Sequence, residues 1–319
     1  ADCASLGTIL IPMMVDQGYD DDFSANVTMT SSVQGILIPP SHNMVIYATV
    51  ARSVSIGRLF IAGYMPGILL GIALMVYSFY ISVKKNYPKG EAFNLKNFLK
   101  VGLDAIWGLF TVLIVVVGVV AGVFTATESA AVAVIWALFC GAFIYKQLTI
   151  KDFWKVLENA LNTLAIVLIL IATSSAFSWC LTYLKVPSIM ATAVMSITHN
   201  KILILLMMNV IMLIFGTMMD MSCNILLLTP ILLPIAQQIG VDPVQFGCIM
   251  ILNLGIGLIT PPVGSTLFIG SAISKVPIER LGKSLIPFFV VMLVVLAIVT
   301  YWPAFTMTLP NIIMPVAAG

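Results

Sequence analysis

Two short stretches carry the same unusual grouping: GILIPPSHN at residues 35–43 and GLITPPVGST at 257–266. Each sets two adjacent prolines behind a glycine, in an otherwise apolar run, and follows them with hydroxyl or amide side chains. Proline removes a backbone donor and clashes with the preceding helical turn, so neither run can be a continuous helix. Inside lipid, an unwound backbone survives only where protein or a watery cavity satisfies it. Such a break frees main-chain poles. Unwound carbonyl oxygens can hold a cation, and the amides that open the next half-helix attract an anion. Ser41, His42 and Asn43 sit at the first half-helix start, and Ser265 and Thr266 occupy the corresponding place in the second. His42 adds a group that can donate to an anion or titrate near neutral pH, against the plainer reading of a structural donor.

A third stretch, GTMMDMSCN at 216–224, places Asp220 between two apolar arms. A carboxylate at the bilayer centre costs roughly 2.5–3.5 kcal/mol even on the lenient insertion scale, so it needs a purpose or a partner. Asp220 is expected to tune a cation or substrate site, to cap the helix that begins near Cys223, or both. Thr125 and Glu128, in GVFTATESAA, match the capping box that closes a helix N-terminus with two reciprocal bonds. An intramembrane enzyme built on Asp220 and Glu128 would need a nucleophile paired with a base, and none stands at workable spacing. The cysteines (Cys3, Cys140, Cys180, Cys223 and Cys248) lack metal-like or disulfide-like spacing and read as small core residues.

The elements that must hold these groups follow from composition. Hydrophobic residues make up 61% of the chain and charged residues 9%, and several runs reach the roughly 20 apolar residues needed to cross a bilayer. Sliding the sequence on itself by 222 positions aligns 13 identical residues between 6 and 59, including Pro39/Pro261, Pro40/Pro262, Asp20/Asp242 and Arg58/Arg280. Basic residues cluster at 84–100, 146–155 and 275–283. Placing these clusters on the cytoplasmic side leaves Arg52, Arg58, Lys185 and Lys201 outside. Residues 201–238 then form a re-entrant hairpin from outside, and the two broken helices run in opposite directions. Inverted repeats of hairpin plus broken helix indicate a secondary transporter with its site near the midplane. Arg58 and Arg280 are read as headgroup anchors of helix ends. Asp104 is read as an interfacial charge, and the 84–100 linker as lying on the inner surface.

The stretches GILIPPSHNMVIYATVARSVSIGRLFIAGYMPGILLG, GVFTATESAAVAV and MMDMSCNILLLTPILLPIAQQIGVDPVQFGCIMILNLGIGLITPPVGSTLFIGSA resemble the large membrane subunit of TRAP (tripartite ATP-independent periplasmic) transporters, over essentially the whole chain. The resemblance implies an all-α polytopic membrane protein of elevator type in the bacterial inner membrane. It implies sodium-driven uptake of organic anions, C4-dicarboxylates or sugar acids such as sialic acid. It also implies a small membrane subunit and a periplasmic binding protein as partners, with sodium as coupling ion and no other cofactor. By the same resemblance, one sodium site falls on Gly216, Gly257 and Thr260 with Met292, a half-site falls on Gly35, Ile38 and Pro40, and Glu128 is added beside the substrate cavity. The implied division is 1–57 and 201–274 as the two repeats of a transport domain, 58–200 as scaffold and connecting helices, and 275–319 as a C-terminal scaffold helix and tail. An N-terminal part with the first hairpin's tip is expected to lie outside this sequence. The alternative is a stand-alone sodium–anion symporter that needs no receptor.

Overall fold

The structure, a computed structural model, describes residues 2–51, 53–88, 95–146 and 148–315. Arg52, the middle of the 84–100 linker and the side chain of Asp104 lie outside the described residues. The described chain is helical throughout: α1 (Asp2–Asp16), α2 (Asp21–Leu37), α3 (His42–Val50), α4 (Ile56–Lys84), α5 (Leu95–Val120), α6 (Ala126–Phe139), α7 (Ile150–Tyr183), α8 (Val186–Ile197), α9 (Lys201–Met218), α10 (Met221–Gln238), α11 (Pro243–Gly257), α12 (Ser265–Ser274), α13 (Ile278–Tyr301) and α14 (Pro303–Ile313). Among the described residues six helices are long and apolar enough to cross a membrane. The chain is an all-α polytopic membrane protein.

Two compact units form. Residues 89–176 make one, with α5, α6 and most of α7; residues 1–88 and 177–319 make the other. In the smaller unit α5 packs on α6, and Trp136 Nε1 donates to the Trp107 carbonyl at 3.1 Å. The capping box at Thr125 and Glu128 is present, with Glu128 Oε2 accepting from the Thr125 N–H at 2.8 Å and Thr125 Oγ1 accepting from the Glu128 N–H at 3.2 Å.

In the larger unit the repeat is visible as matched elements: α1 with α10, α2 with α11, α3 with α12, and α4 with α13. Its inversion can be read along α4, whose 29 residues span about 43 Å. Asp20, which precedes α2, bonds to Lys85 just past the C-terminal end of α4. Asp242, which precedes α11, lines a hollow with Ser55 and Arg58 at the N-terminal end of α4. The two repeats therefore start from opposite ends of one helix. Lys201, at the base of the α9–α10 hairpin, donates to the Gly240 carbonyl at 3.1 Å, beside the start of α11. The hairpin and α11 thus leave the same end together. The hairpin's tip stops against the last turn of α11, while the chain continues into α12, as expected for a re-entrant pair.

Packing redraws one sequence expectation. Helix α4 lies against α2, α11, α13 and α14 within one unit. Arg58 is not a headgroup anchor. It is 9% exposed, and its Nη2 donates to Asn311 Oδ1 at 2.8 Å. Helices α8 and α14 were not anticipated, although each opens with the Val186-Pro187 or Trp302-Pro303 signal of a proline in the first turn.

Candidate functional site

The first break begins where Ile38, with extended backbone, still donates its N–H to the Gln34 carbonyl at 3.1 Å. Pro39–Pro40 follows with a cis bond, and Ser41 opens α3 without making a side-chain capping bond. The second break is longer, from Leu258 to Gly264, and its Pro261–Pro262 bond is also cis. There the chain folds back on itself, the Thr266 N–H donating to the Leu258 carbonyl at 3.0 Å and the Thr260 N–H to the Gly257 carbonyl at 3.0 Å.

The hairpin tip closes on this second break. A Cβ placed on Gly257 would lie 2.5 Å from the carbonyl carbon of Gly216, so two main chains touch where no side chain fits. The Gly264 N–H donates to the Thr217 carbonyl at 3.1 Å. Asn224, fully buried, ties the tip across its own turn: its Nδ2 donates to the carbonyls of Phe215 at 3.0 Å and Met219 at 3.1 Å. Asp220 caps α10, accepting from the Ser222 N–H at 2.8 Å. Its carboxylate is exposed, so the burial cost anticipated from sequence is largely avoided.

Between tip and breaks lies a cavity of about 470 Å³. Gly35, Pro40, Ser41, His42, Asn43, Asp220, Ser265 and Thr266 all line it, so six of the seven residues singled out as substrate candidates share one space. Three helices, α3, α10 and α12, begin at its wall. Among the described residues no lysine or arginine lines it, and its polar groups besides Asp220 and the exposed His42 are hydroxyls and an amide. Ser41 Oγ and Asn43 Oδ1 are buried without a hydrogen-bond partner, on residues each 4% exposed. Two unsatisfied polar atoms beside a polar cavity are groups waiting for a ligand or water.

The remaining expected positions divide. Gly216 and Gly257 are in contact, and the Thr260 hydroxyl is turned onto the Ile256 carbonyl at 2.7 Å. Met292 is fully buried on α13, which packs against α11. Ile38 turns away from the cavity onto α4, where a Cβ on Gly67 would lie 2.6 Å from its Cγ1. Glu128 belongs to the other unit, where the capping box accounts for its bonds. Sequence reasoning passed over Asn224, Ser32 and Ser222. Asn224 had a signal, as the one amide in the tip motif, four residues after Asp220.

The model of the tripartite ATP-independent periplasmic transporter DctM component matches residues 1–305. The chain belongs to the DctM family of TRAP transporters. It is 40% identical over 315 residues to the uncharacterized protein YgiK of Salmonella typhimurium, covering 99% of this chain and 72% of that one. It is 38% identical over 314 residues to the sialic acid TRAP transporter large permease protein SiaM of Vibrio cholerae, covering 98% and 73%. With the isethionate TRAP transporter permease protein DctMQ of Oleidesulfovibrio alaskensis it shares 43% identity over 309 residues, 96% of this chain but 48% of that longer one. A DctM chain is a transporter permease subunit and not an enzyme. Asp220 and Glu128 therefore keep their capping roles without any catalytic pairing.

Proposed function

We propose that this DctM chain is the large membrane subunit of a sodium-coupled, binding-protein-dependent importer of organic anions in the bacterial inner membrane. The observation that carries the reading is the single cavity onto which the starts of α3 and α12, each following a Pro–Pro break, and the Asp220 tip all open. Sodium sits at the tip–break contact, on main-chain oxygens around Gly216, Gly257 and Thr260 with Met292, and in the first repeat around Gly35, Ile38 and Pro40. Bound sodium orders the hairpin tip and completes an anion site made by Ser41, His42, Asn43, Ser265 and Thr266, with Asp220 tuning its charge. Alternating access by an elevator movement then carries both inward. A small membrane subunit and a periplasmic binding protein complete the system, in keeping with the family. The substrate is a C4-dicarboxylate or a sugar acid such as sialic acid. Among the described residues the lining offers hydroxyls and an amide and no lysine or arginine, which suits the sugar acid better, because hydroxyl partners read a polyol and helix starts suffice for one carboxylate.

The test is accumulation of labelled sialate and succinate by the complete reconstituted system, with and without an inward sodium gradient. Gradient-dependent accumulation of one of them is expected. Equal accumulation in both conditions removes sodium coupling for that substrate.

A further inference from the structure

In the first repeat the break is packed by its own side chain, Ile38, which presses onto α4 at Gly67. The residues that match this pair across the offset of 222 are Thr260 and Phe289. Thr260 turns its hydroxyl back onto the Ile256 carbonyl, at 2.7 Å, and Phe289 puts a ring where the first repeat has a glycine. Both residues line a groove of about 540 Å³ between the second break and α13. The groove follows one stripe of α13, from Glu279 past Gly282 and Ile286 to Phe289. That stretch is about 15 Å at the helical rise, half of a hydrocarbon core of about 30 Å, so it covers the depth of one leaflet.

The deep part of the groove is apolar, with Leu285, Ile286, Phe289 and the Pro261 ring as its walls and the Thr260 hydroxyl already spent. Charge is confined to the shallow end, where Glu279 and Lys283 line it and are both exposed. They stand four residues apart on one helix, the spacing at which an acid and a base meet. Even so, among the described residues they form no ion pair with each other. Arg280, the other cation of this turn, does not line the groove and lies 3.8 Å from Asp22. The basic cluster at 275–283 puts this end of α13 at the membrane surface. One cation and one anion therefore stand unpaired at the mouth of an apolar trough that is one leaflet deep.

We propose that this groove binds a phospholipid with a zwitterionic, amine-bearing headgroup of the phosphatidylethanolamine type. Its phosphate accepts from Lys283, its ammonium donates to Glu279, and one acyl chain lies along α13 in the place that Ile38 takes beside the first break. A phosphatidylglycerol headgroup has no ammonium for Glu279, and a choline headgroup has no N–H to donate to it. The inference goes beyond the proposed function, and its readout, bound lipid, does not depend on transport.

The experiment releases the complete membrane subunits from nanodiscs of phosphatidylethanolamine, phosphatidylglycerol and phosphatidylcholine in equal amounts, and identifies retained lipid by native mass spectrometry. Wild type is expected to favour phosphatidylethanolamine over each of the others by about fivefold, the worth of one headgroup contact at the surface. Glu279→Gln is expected to abolish that preference, and Lys283→Gln to lower retention of the lipid by a similar factor. Ile286→Trp lays an indole in the groove and is expected to expel the lipid while the melting temperature in lipid-free detergent holds. All three positions are exposed and lie outside the proposed cation and anion sites, so each variant is expected to fold. Equal retention of the three lipids by wild type marks an unselective boundary shell and overturns the proposal. Retention that a folded Ile286→Trp leaves unchanged also overturns it. A photo-crosslinker at position 286 that captures lipid supports the site, whereas capture of the small membrane subunit there gives the groove to protein and overturns it.

Discussion

At the first Pro–Pro break the chain is pressed along a row of glycines on a transmembrane helix; at the second it meets such a helix at one glycine, beside an open groove. α4 presents Gly63, Gly67 and Gly71 at four-residue spacing, and against this face lie the Leu37 carbonyl, Ile38, Met44 and Gln34. Small residues so spaced let neighbouring backbones approach closely in lipid. The matching positions on α13 are Leu285, Phe289 and Leu293. There the second break meets α13 at Gly282, where a Cβ would lie 3.3 Å from Pro261 Cγ, and borders an apolar groove of about 540 Å³ lined by Thr260, Pro261, Gly282, Leu285, Ile286 and Phe289. What braces the second break is the hairpin tip, through Gly216, Thr217 and Gly257. One sequence device is thus set in two mechanical frames, a rigid one against α4 and one that depends on a hairpin.

The sharpest way to break this comparison is to add one methyl group to each frame. In Gly257→Ala the new Cβ meets main chain, 2.5 Å from the Gly216 carbonyl carbon and 2.9 Å from its oxygen, with no flexible end to yield. Overpacking of this kind costs about 1–3 kcal/mol. Uptake by the reconstituted system should fall at least about tenfold, because the displaced tip is also the proposed cation site. In Gly67→Ala the new Cβ meets Ile38 Cγ1 at 2.6 Å, a side-chain atom that can move. Its cost should fall in the lower half of the same range, with most uptake retained. Thermal unfolding and initial uptake rates measure both, and a more harmful Gly67→Ala would reverse the assignment of frames.

A smaller effect should sharpen the role of the tip. Asn224→Ala removes the two bonds that join the Phe215 and Met219 carbonyls to α10. Leaving buried polar groups unpaired costs about 1–3 kcal/mol. Because both carbonyls belong to the tip, the loss should raise the sodium concentration needed for half-maximal uptake more than it lowers the melting temperature. Unchanged sodium dependence with a lower melting temperature would make Asn224 purely a fold residue.

The fold was legible where physics leaves one solution. Pro–Pro pairs at 39–40 and 261–262 had to end helices, and α2 and α11 stop at Leu37 and Gly257. The offset of 222 and the basic clusters implied inversion, and the two ends of α4 carry the starts of the two repeats. The cavity was legible in part. Ser41, Asn43, Ser265 and Thr266 were named because helix starts expose amides, and Asp220 because a charge in an apolar run needs a reason. Ser222 was not, since nothing in a single chain ranks one hydroxyl of a tip motif above another, and Asn224 was passed over although it is the one amide there. Arg58 was misread for a general reason. Snorkelling and burial share the same local sequence, an arginine one turn into an apolar helix, and only tertiary packing by α14 and α11 separates them.

The smallest expected effect lies at the ends of the repeats, where Asp20 and Asp242 are mates with different duties. Asp242 caps α11, whereas Asp20 makes no capping bond to α2 and is bonded instead by Lys85 and by the Tyr87 hydroxyl, the latter at 2.7 Å. The bond from Lys85, then that from Tyr87, hold the Asp20 carboxyl below its ordinary range, and the bond to Asp20 raises the Lys85 ammonium. Burial and the same carboxylate push the Tyr87 hydroxyl up to about 12. A lowered carboxyl contributes stability above its unfolded pKa, near 4, that is lost as pH falls through the folded value. A raised ammonium contributes below its unfolded pKa, near 10.4, and loses that contribution as pH rises through the folded value. The pair's contribution should therefore be level from about pH 5 to 9 and decline on either side. Both side chains are about half exposed, so Lys85→Met should cost at most about 1 kcal/mol at pH 7. Melting curves of wild type and Lys85→Met should converge as pH drops below 4, with Tyr87→Phe required to abolish what remains of the acid-side slope. A cost of several kcal/mol at pH 7 would mean that this corner is a brace as firm as the glycine face of α4, and that the first repeat is pinned at both its ends.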